Sequence, residues 1–169
     1  MRTHRTSRLL ASKIRPIGAL LRIVAGLKKQ RKKIVFTNGC FDILHFGHVK
    51  YLQEAKHLGD ILIVGINSDA SIRKLKGNAR PIINEKDRCQ TLAGLESVDY
   101  VVVFGEVTPL RLIAALKPDV LVKGADWDKH NIVGSDIVLR HGGKVKTIRL
   151  MKGRSTTDLI KRIAQKIRT

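Results

Sequence analysis

Residues 33–66 read KIVFTNGCFDILHFGHVKYLQEAKHLGDILIVGI, and this stretch decides the fold. Its apolar run at 34–36 predicts a short buried strand, and the run at 61–66 predicts a second one. Between them a helix is predicted over 49–58, because apolar residues recur there at helical spacing, at Val49, Leu52, Ala55 and Leu58. A strand, a helix and a second strand in this order form the βαβ unit of a parallel sheet.

The same alternation continues to the end of the chain. The predicted elements are a helix over 87–95, a strand over 100–104, a helix over 109–116, a strand over 120–122, a helix over 134–140, a strand over 144–148 and an amphipathic helix over 158–167. We therefore predict an α/β fold with a doubly wound, Rossmann-like parallel sheet and helices on both faces. In such sheets, ligands bind beyond the carboxyl ends of the strands.

Size and composition fit a single globular domain. The chain has 169 residues, of which 43% are hydrophobic, so a substantial core is expected. It contains no run of about 18 apolar residues, and we expect no membrane span. Its two cysteines, Cys40 and Cys89, do not make a disulfide framework, which favours a reducing cytoplasm. We interpret both as small buried apolar residues.

The net charge of +19 is unevenly placed. Residues 1–33 carry 11 Lys or Arg and no acid, so we separate a basic N-terminal extension with a lead-in helix (1–33) from the main domain (34–169). The lead-in helix is predicted over 12–30. We prefer a helix packed on the domain with solvated charges to RNA or membrane contact, because no aromatic residues interleave with the charges. A transit peptide is a third possibility, although nothing marks a cleavage site.

The loop after the first predicted strand holds the chemistry. Thr37-Asn38-Gly39-Cys40-Phe41-Asp42-Ile43-Leu44-His45-Phe46-Gly47-His48 joins that strand to a helix. Helix amides and two imidazoles converge there, which indicates an anion site. Zinc is an alternative for the two histidines, but no third ligand follows at a familiar spacing. The loop matches neither the Gly-x-x-x-x-Gly-Lys-Ser/Thr nor the Gly-x-Gly-x-x-Gly pattern, which disfavours a kinase or a dehydrogenase.

A family resemblance rests on this loop and on several later motifs. These are Asn67-Ser68-Asp69, Leu75-Lys76-Gly77 with Arg80-Pro81, Glu85-x-x-Arg88, the stretch 121–127 (Leu-Val-Lys-Gly-Ala-Asp-Trp) and the stretch 153–157 (Gly-Arg-Ser-Thr-Thr). Together they resemble the cytidylyltransferase-like superfamily of nucleotidyltransferases, and most closely the adenylyltransferase half of bacterial ADP-heptose synthases. The resemblance extends from about residue 34 to residue 167.

The resemblance implies an activity. AMP would pass from ATP to D-glycero-β-D-manno-heptose 1-phosphate, giving pyrophosphate and an ADP-heptose for surface glycans such as lipopolysaccharide. Mg²⁺ would be held mainly by nucleotide phosphates, without a protein metal site. A separate upstream kinase and phosphatase would supply the substrate, and a homodimer is expected, with no stable nucleic-acid partner. Two alternatives stay open: a cytidylyltransferase acting on glycerol 3-phosphate or a similar polyol or choline phosphate, and a basic nucleic-acid-binding protein.

The resemblance also implies roles for individual residues. The catalytic set would be His45, His48 and Lys76. The nucleotide would meet Asn38, Gly39, Cys40, Phe41, Gly47, Arg88, Lys123, Gly124, Asp126, Arg154, Ser155 and Thr156. The second substrate would meet Asp42, Asn67, Asp69 and Trp127.

Several of these residues have a purely structural alternative. Ser155 with Asp158 fits a helix capping box, and Arg88 could form a salt bridge with Glu85 three residues earlier. Lys123 and Asp126 could form a surface ion pair. Lys76 could be a solvated lysine and Trp127 a core residue.

Overall fold

The computed structural model describes residues 10–125, 132–149, 151, 153 and 155–167. The elements within these ranges are α1 (Ile17–Lys29), β1 (Ile34–Gly39), α2 (Phe46–Lys56), β2 (Ile61–Asn67), α3 (Asp69–Lys76), α4 (Glu85–Ala93), β3 (Tyr100–Phe104), α5 (Leu110–Leu116), β4 (Val120–Gly124), α6 (Ser135–Arg140), β5 (Lys144–Ile148) and α7 (Thr156–Ile167). Among the helices described, none is both long enough and apolar enough to cross a membrane.

The five strands form one parallel sheet in the order β3-β2-β1-β4-β5. From β1 the chain moves outward through β2 to β3, and then returns to the other side of β1 as β4. The direction in which successive strands are added to the sheet therefore reverses between β1 and β4. This arrangement confirms the predicted doubly wound parallel sheet.

Helices cover both faces of the sheet because the strands are apolar on both sides. Successive residues of β1 illustrate this, since Val35 belongs to one buried cluster while Ile34 and Phe36 belong to the other. On the Val35 face lie α2 and α4, with Leu52, Ala55, Leu92 and Ala93 buried. On the opposite face lie α1, α5 and α6, with Leu20, Val24, Leu112, Ile113, Leu116 and Val138 buried.

The lead-in helix is part of the packed structure. Leu20 is fully buried in α1, which supports the expectation of a helix packed on the domain. Residues 10–13 form a separate helical turn and α1 begins at Ile17, whereas the apolar spacing predicted one continuous helix from residue 12. Pro16 explains the difference, since proline disfavours a helical conformation in the residue before it. Arg15 instead donates its backbone N–H to the Val101 carbonyl of β3 (2.9 Å).

One helix was not predicted. No helix was predicted between the strand over 61–66 and the helix over 87–95, but residues 69–76 form α3, and Lys76 is its last residue. Ser68 caps this helix by accepting the Ser71 N–H (3.1 Å), and Gly77 ends it at a φ of 85°, which favours glycine. Lys76 therefore projects from the end of a fixed element.

Candidate active site

The carboxyl ends of β1 and β4 lie side by side, at the point where the strand order reverses. A cavity of about 200 Å³, here called the polar cavity, opens between them. Its lining residues are Asn38, Gly39, Cys40, Phe41, Asp42, His48, Tyr51, Lys76, Arg80, Lys123, Gly124 and Thr156. This is the location at which doubly wound sheets bind their ligands.

The loop between β1 and α2 is held in an unusual conformation. Phe41 has a φ of 45°, in a region that residues other than glycine seldom occupy. Its ring is buried and packs so closely on Gly39 that a Cβ atom on Gly39 would lie 3.1 Å from it. The same ring meets the His48 ring edge to face, with 5.2 Å between the centroids. Phe41 therefore links the constrained loop to the ring of His48, a predicted catalytic residue.

The two motif histidines are stacked. The His45 and His48 rings have centroids 3.9 Å apart and are inclined by 25°. His45 precedes the first turn of α2, and its carbonyl accepts the His48 N–H (2.9 Å), while Gly47 is the second residue of the helix. Both imidazoles thus lie at the amino end of α2, where backbone amides attract anions.

Burial sets the protonation state of His48. Desolvation, together with the positive charges that His45 and Lys76 can carry nearby, lowers the pKa of His48 from 6.5 to about 4. The His48 ring is therefore neutral at pH 7. A neutral imidazole carries one N–H, and its Nδ1 has no hydrogen-bond partner among the described residues. The ring can donate one hydrogen bond to a phosphate oxygen.

Asp42 holds the next loop of the site in place. Its buried carboxylate accepts the backbone N–H groups of Ile82 (2.8 Å) and Ile83 (2.9 Å) and forms an ion pair with Arg80. Burial alone would raise the pKa of Asp42, but these hydrogen bonds and the arginine outweigh it and lower the pKa. Its contacts with the protein favour an architectural role, and the predicted substrate contact stays a prediction.

Arg88 is not among the lining residues of the polar cavity, and its predicted nucleotide contact stays a prediction. Its guanidinium is buried beneath the loop and donates to the carbonyls of Cys40 (2.7 Å), Asn67 (2.9 Å) and Ile83 (3.0 Å) and to the Asp69 carboxylate (2.7 Å). The suggested pairing with Glu85 is wrong, because Glu85 accepts the Asp69 backbone N–H instead. We interpret Arg88 as a positioning residue that joins the ends of β1 and β2 to the loop before α4.

A second cavity of about 470 Å³ adjoins the polar cavity and is here called the neighbouring cavity. Asn38, Gly39, Cys40, Lys76 and Lys123 line both cavities. The remaining walls of the neighbouring cavity are mainly apolar, and its other lining residues are Asn67, Leu75, Val107, Thr108, Pro109 and Val133. Lys76 and Lys123 therefore lie at the junction of a polar and a more apolar compartment.

The amino end of α7 faces the polar cavity through Thr156. Ser155 caps α7, as its structural alternative proposed: its hydroxyl accepts the Asp158 N–H (3.0 Å) and donates to the Asp158 carboxylate (2.8 Å). Thr156 lines the cavity, and the Ser155 contact with phosphate stays a prediction.

The structure brings most of the predicted residues together, with a few exceptions. Asp69 is paired with Arg88 and is not among the lining residues of either cavity described here. Asp126, Trp127 and Arg154 lie outside the described residues, so their predicted roles and the Lys123–Asp126 pair stay predictions.

Two lining residues of the polar cavity, Tyr51 and Arg80, received no role in the sequence analysis. Tyr51 shares a hydrogen bond with Thr37 (2.7 Å), and Arg80 was quoted only as part of a motif. Nothing local marks Tyr51, which looks like any apolar-face residue of a helix. For Arg80, the Lys-Gly-x-x-Arg-Pro motif was the available signal.

Comparison with known proteins agrees with this geometry. Residues 36–162 match the cytidylyltransferase-like family. The chain is 55% identical over 152 residues to the bifunctional protein HldE of Geobacter metallireducens and 57% identical over 151 residues to that of Campylobacter concisus. These alignments cover 90% and 89% of this chain but 31% of each relative, so the chain spans about a third of their length.

Two solved structures are also similar. A lipopolysaccharide core biosynthesis protein from Thermoplasma volcanium superimposes with a TM-score of 0.59 at 32% identity, covering 72% of this chain and 98% of that one. The pantoate-beta-alanine ligase of Francisella tularensis, solved with beta-gamma ATP and beta-alanine, superimposes with a TM-score of 0.61 at 20% identity. The superposition covers 91% of this chain and 77% of that one, and it supports the fold. The family that the motifs indicated is thereby confirmed: the chain belongs to the cytidylyltransferase-like family of nucleotidyltransferases.

Proposed function

We propose that this protein transfers AMP from ATP to D-glycero-β-D-manno-heptose 1-phosphate, releasing pyrophosphate and forming ADP-heptose. The observation that carries the proposal is His48, which lines a cationic cavity at the β1–β4 switch point and stacks on His45, in a chain 55% identical to an HldE protein. We assign the reaction to residues 34–169 and treat residues 1–33 as an extension with a lead-in helix.

The two cavities suggest how the substrates divide the site. Thr156 and His48 line only the polar cavity, which suits the triphosphate. Asn67, which is predicted to contact the second substrate, lines only the neighbouring cavity, and we therefore place the acceptor sugar there. The reacting phosphates would then meet at the junction, between Lys76 and Lys123.

The reaction follows as a direct displacement. A phosphate oxygen of the heptose 1-phosphate attacks the α-phosphorus of ATP and forms the new P–O–P bond. The bond from the α-phosphorus to the oxygen bridging to the β-phosphorus breaks, and pyrophosphate leaves with that electron pair. The attacking oxygen is already ionised, so no general base is needed. Catalysis therefore rests on alignment and on neutralising charge.

The chain's own residues supply these effects. Lys76 and Lys123 offset the repulsion between two phosphates that must approach each other. His48 donates one hydrogen bond from a ring held by His45 and Phe41. The amino ends of α2 and α7 add oriented backbone amides.

We propose that Mg²⁺ binds at this site as a partner of the nucleotide. Within the described ranges, no group of three or more His, Cys, Asp or Glu is placed to hold a metal ion, and the Asp42 carboxylate is already engaged by Arg80 and two backbone amides. We propose that Mg²⁺ enters on the ATP phosphates and supplies further charge neutralisation there.

The proposal includes the setting of the enzyme. We propose a cytoplasmic protein that receives heptose 1-phosphate from a separate kinase and phosphatase. We also propose a homodimer, the commonest assembly of soluble enzymes, which light scattering can measure.

The test is pyrophosphate release across a panel of nucleotides and sugar phosphates. ATP with heptose 1-phosphate should give the highest kcat/KM. Faster turnover of CTP with glycerol 3-phosphate would replace the proposal with the cytidylyltransferase alternative. Turnover of neither pair, together with salt-sensitive nucleic-acid binding, would favour the nucleic-acid-binding alternative.

A further inference from the structure

Arg80 lies in the wall of the polar cavity with one edge of its guanidinium anchored. Its Nε donates to the Asp42 carboxylate, which is only 1% exposed and is itself fixed by two backbone amides. The Arg80 side chain is 13% exposed. The carboxylate thus fixes both the position and the plane of the guanidinium.

The Nη2 nitrogen of the same guanidinium has no such anchor. It is buried and has no hydrogen-bond partner within the part of the chain that the structure describes. Buried polar groups are nearly always hydrogen-bonded, so a donor of this kind calls for a ligand. Since Arg80 lines the polar cavity, that ligand would lie in the cavity.

The charges around this donor point to an anion. Three cationic side chains line the polar cavity, those of Lys76, Arg80 and Lys123. Asp42 is the one carboxylate among its described lining residues, and it is already paired with Arg80. A planar guanidinium whose Nε is held on a carboxylate can direct the N–H groups of a terminal nitrogen to a phosphate group.

We propose that Arg80 is a further catalytic residue, which binds a non-bridging oxygen of the triphosphate and neutralises charge on the leaving pyrophosphate. The nucleotide is favoured over the acceptor because Arg80 lines the polar cavity with Thr156 and His48, and is not among the lining residues of the neighbouring cavity. This assignment rests on the proposed function for the identity of the nucleotide. Binding of the phosphate chain itself does not depend on that function.

The competing explanation is that Arg80 only ties its loop to Asp42. If Arg80 only held its loop, its loss would lower the stability of the protein. If Arg80 binds phosphate, its loss would lower turnover and the affinity for phosphate groups. Arg80→Lys keeps a positive charge beside Asp42 but has no second nitrogen to direct into the cavity. Arg80→Ala removes both. Arg73→Ala is the matched control, because Arg73 is an exposed arginine on α3 and its loss changes the net charge equally.

The experiment measures kcat, the KM of each substrate and the affinity for inorganic pyrophosphate by calorimetry, in variants shown to be folded by circular dichroism. Arg80→Ala should lower kcat by about a hundredfold, as loss of one preorganised donor does. It should also weaken pyrophosphate binding by about tenfold or more, the effect of losing one charge-assisted hydrogen bond. Arg80→Lys should fall between it and the parent, and Arg73→Ala should match the parent. Millimolar methylguanidinium should partly restore turnover of Arg80→Ala.

A folded Arg80→Ala or Arg80→Lys protein with parental kcat and pyrophosphate affinity would overturn the proposal. So would a change confined to the acceptor's KM. If Arg80→Ala does not fold, Arg80→Lys decides between the two explanations. If the parent does not use ATP with heptose 1-phosphate, the proposed function fails, while the pyrophosphate affinities still decide the role of Arg80.

Discussion

Replacing His48 with alanine removes one hydrogen-bond donor from the centre of the site. The ring is fixed before substrate arrives, because it stacks on His45 at 3.9 Å and meets the edge of Phe41 at 5.2 Å. Loss of a preorganised donor costs about 2.7–4 kcal/mol of transition-state stabilisation, or roughly a hundred- to a thousandfold in kcat. In the ligand-free protein the pKa of His48 is about 4, so the ring is neutral before ATP binds, and we expect a loss near a hundredfold, the lower end of this range.

The assay is steady-state pyrophosphate release at saturating acceptor, with ATP varied. For His48→Ala, kcat should fall by about that factor, with a smaller change in the KM for ATP, because the donor acts mainly on charge that develops in the transition state. His57→Ala is the matched control: His57 caps the other end of α2, where its ring contacts the Gln53 carbonyl (2.7 Å). His45→Ala should resemble His48→Ala. Near-normal turnover in a folded His48→Ala protein would refute the transition-state role, and bound zinc lost from both histidine variants would indicate a metal site instead.

Three further predictions concern the pH dependence of stability, the buried Arg88 and the start of the N-terminal extension. Folding lowers the pKa of His48 from 6.5 to about 4, so the folded protein binds fewer protons than the unfolded chain between these pH values. Its free energy of unfolding should therefore fall by up to about 3 kcal/mol between pH 6.5 and pH 4. Denaturant titrations should show a smaller fall for His48→Gln. Arg88→Met leaves the Asp69 carboxylate and three carbonyls without their donor, so its free energy of unfolding should fall by about 3–5 kcal/mol, and a parental urea midpoint would contradict this role. Deleting residues 1–9 should leave kcat within a few-fold of the parent. The deletion should stop before Leu10, because Leu10 packs on the core. A large loss of kcat in a folded truncated protein would place residues 1–9 at the active site.

Most of the fold could be predicted because the strands and helices are marked by apolar periodicity. The strands over 100–104 and 144–148 were predicted with the bounds that the structure gives. The helix α3 was missed because it is short and buries only Ser71 and Ile72, too few positions for a periodic pattern. The late start of α1 depends on the effect of Pro16 on the residue before it, which the apolar spacing alone does not express.

The site was predictable where it depends on position along a strand. Asn38, Gly39, Lys123 and Gly124 follow or end predicted strands, and the structure places all four in the wall of one cavity. Pairings across the chain were not predictable. Asp42 and Arg80 are separated by 38 residues, and sequence offers no means of choosing one arginine among many for a given carboxylate.

Burial is the other quantity that the sequence did not supply. The motif indicated two imidazoles near phosphate, but whether they are charged depends on how deeply each ring is buried. The structure resolves this for His48, whose pKa is lowered mainly by desolvation. The same reasoning separates Arg88 from Arg80: both were parts of recognised motifs, yet one is enclosed by carbonyls and the other borders a cavity.

The central claim is that a phosphate oxygen of the acceptor attacks the α-phosphorus of ATP. The most direct measurement uses heptose 1-phosphate carrying ¹⁸O at the three non-ester oxygens of its phosphate, with the products analysed by mass spectrometry. All three labelled atoms should appear in ADP-heptose, one of them in the new P–O–P bridge, and the released pyrophosphate should carry none. A labelled heptose bisphosphate, or free AMP without any nucleotide sugar, would contradict the account.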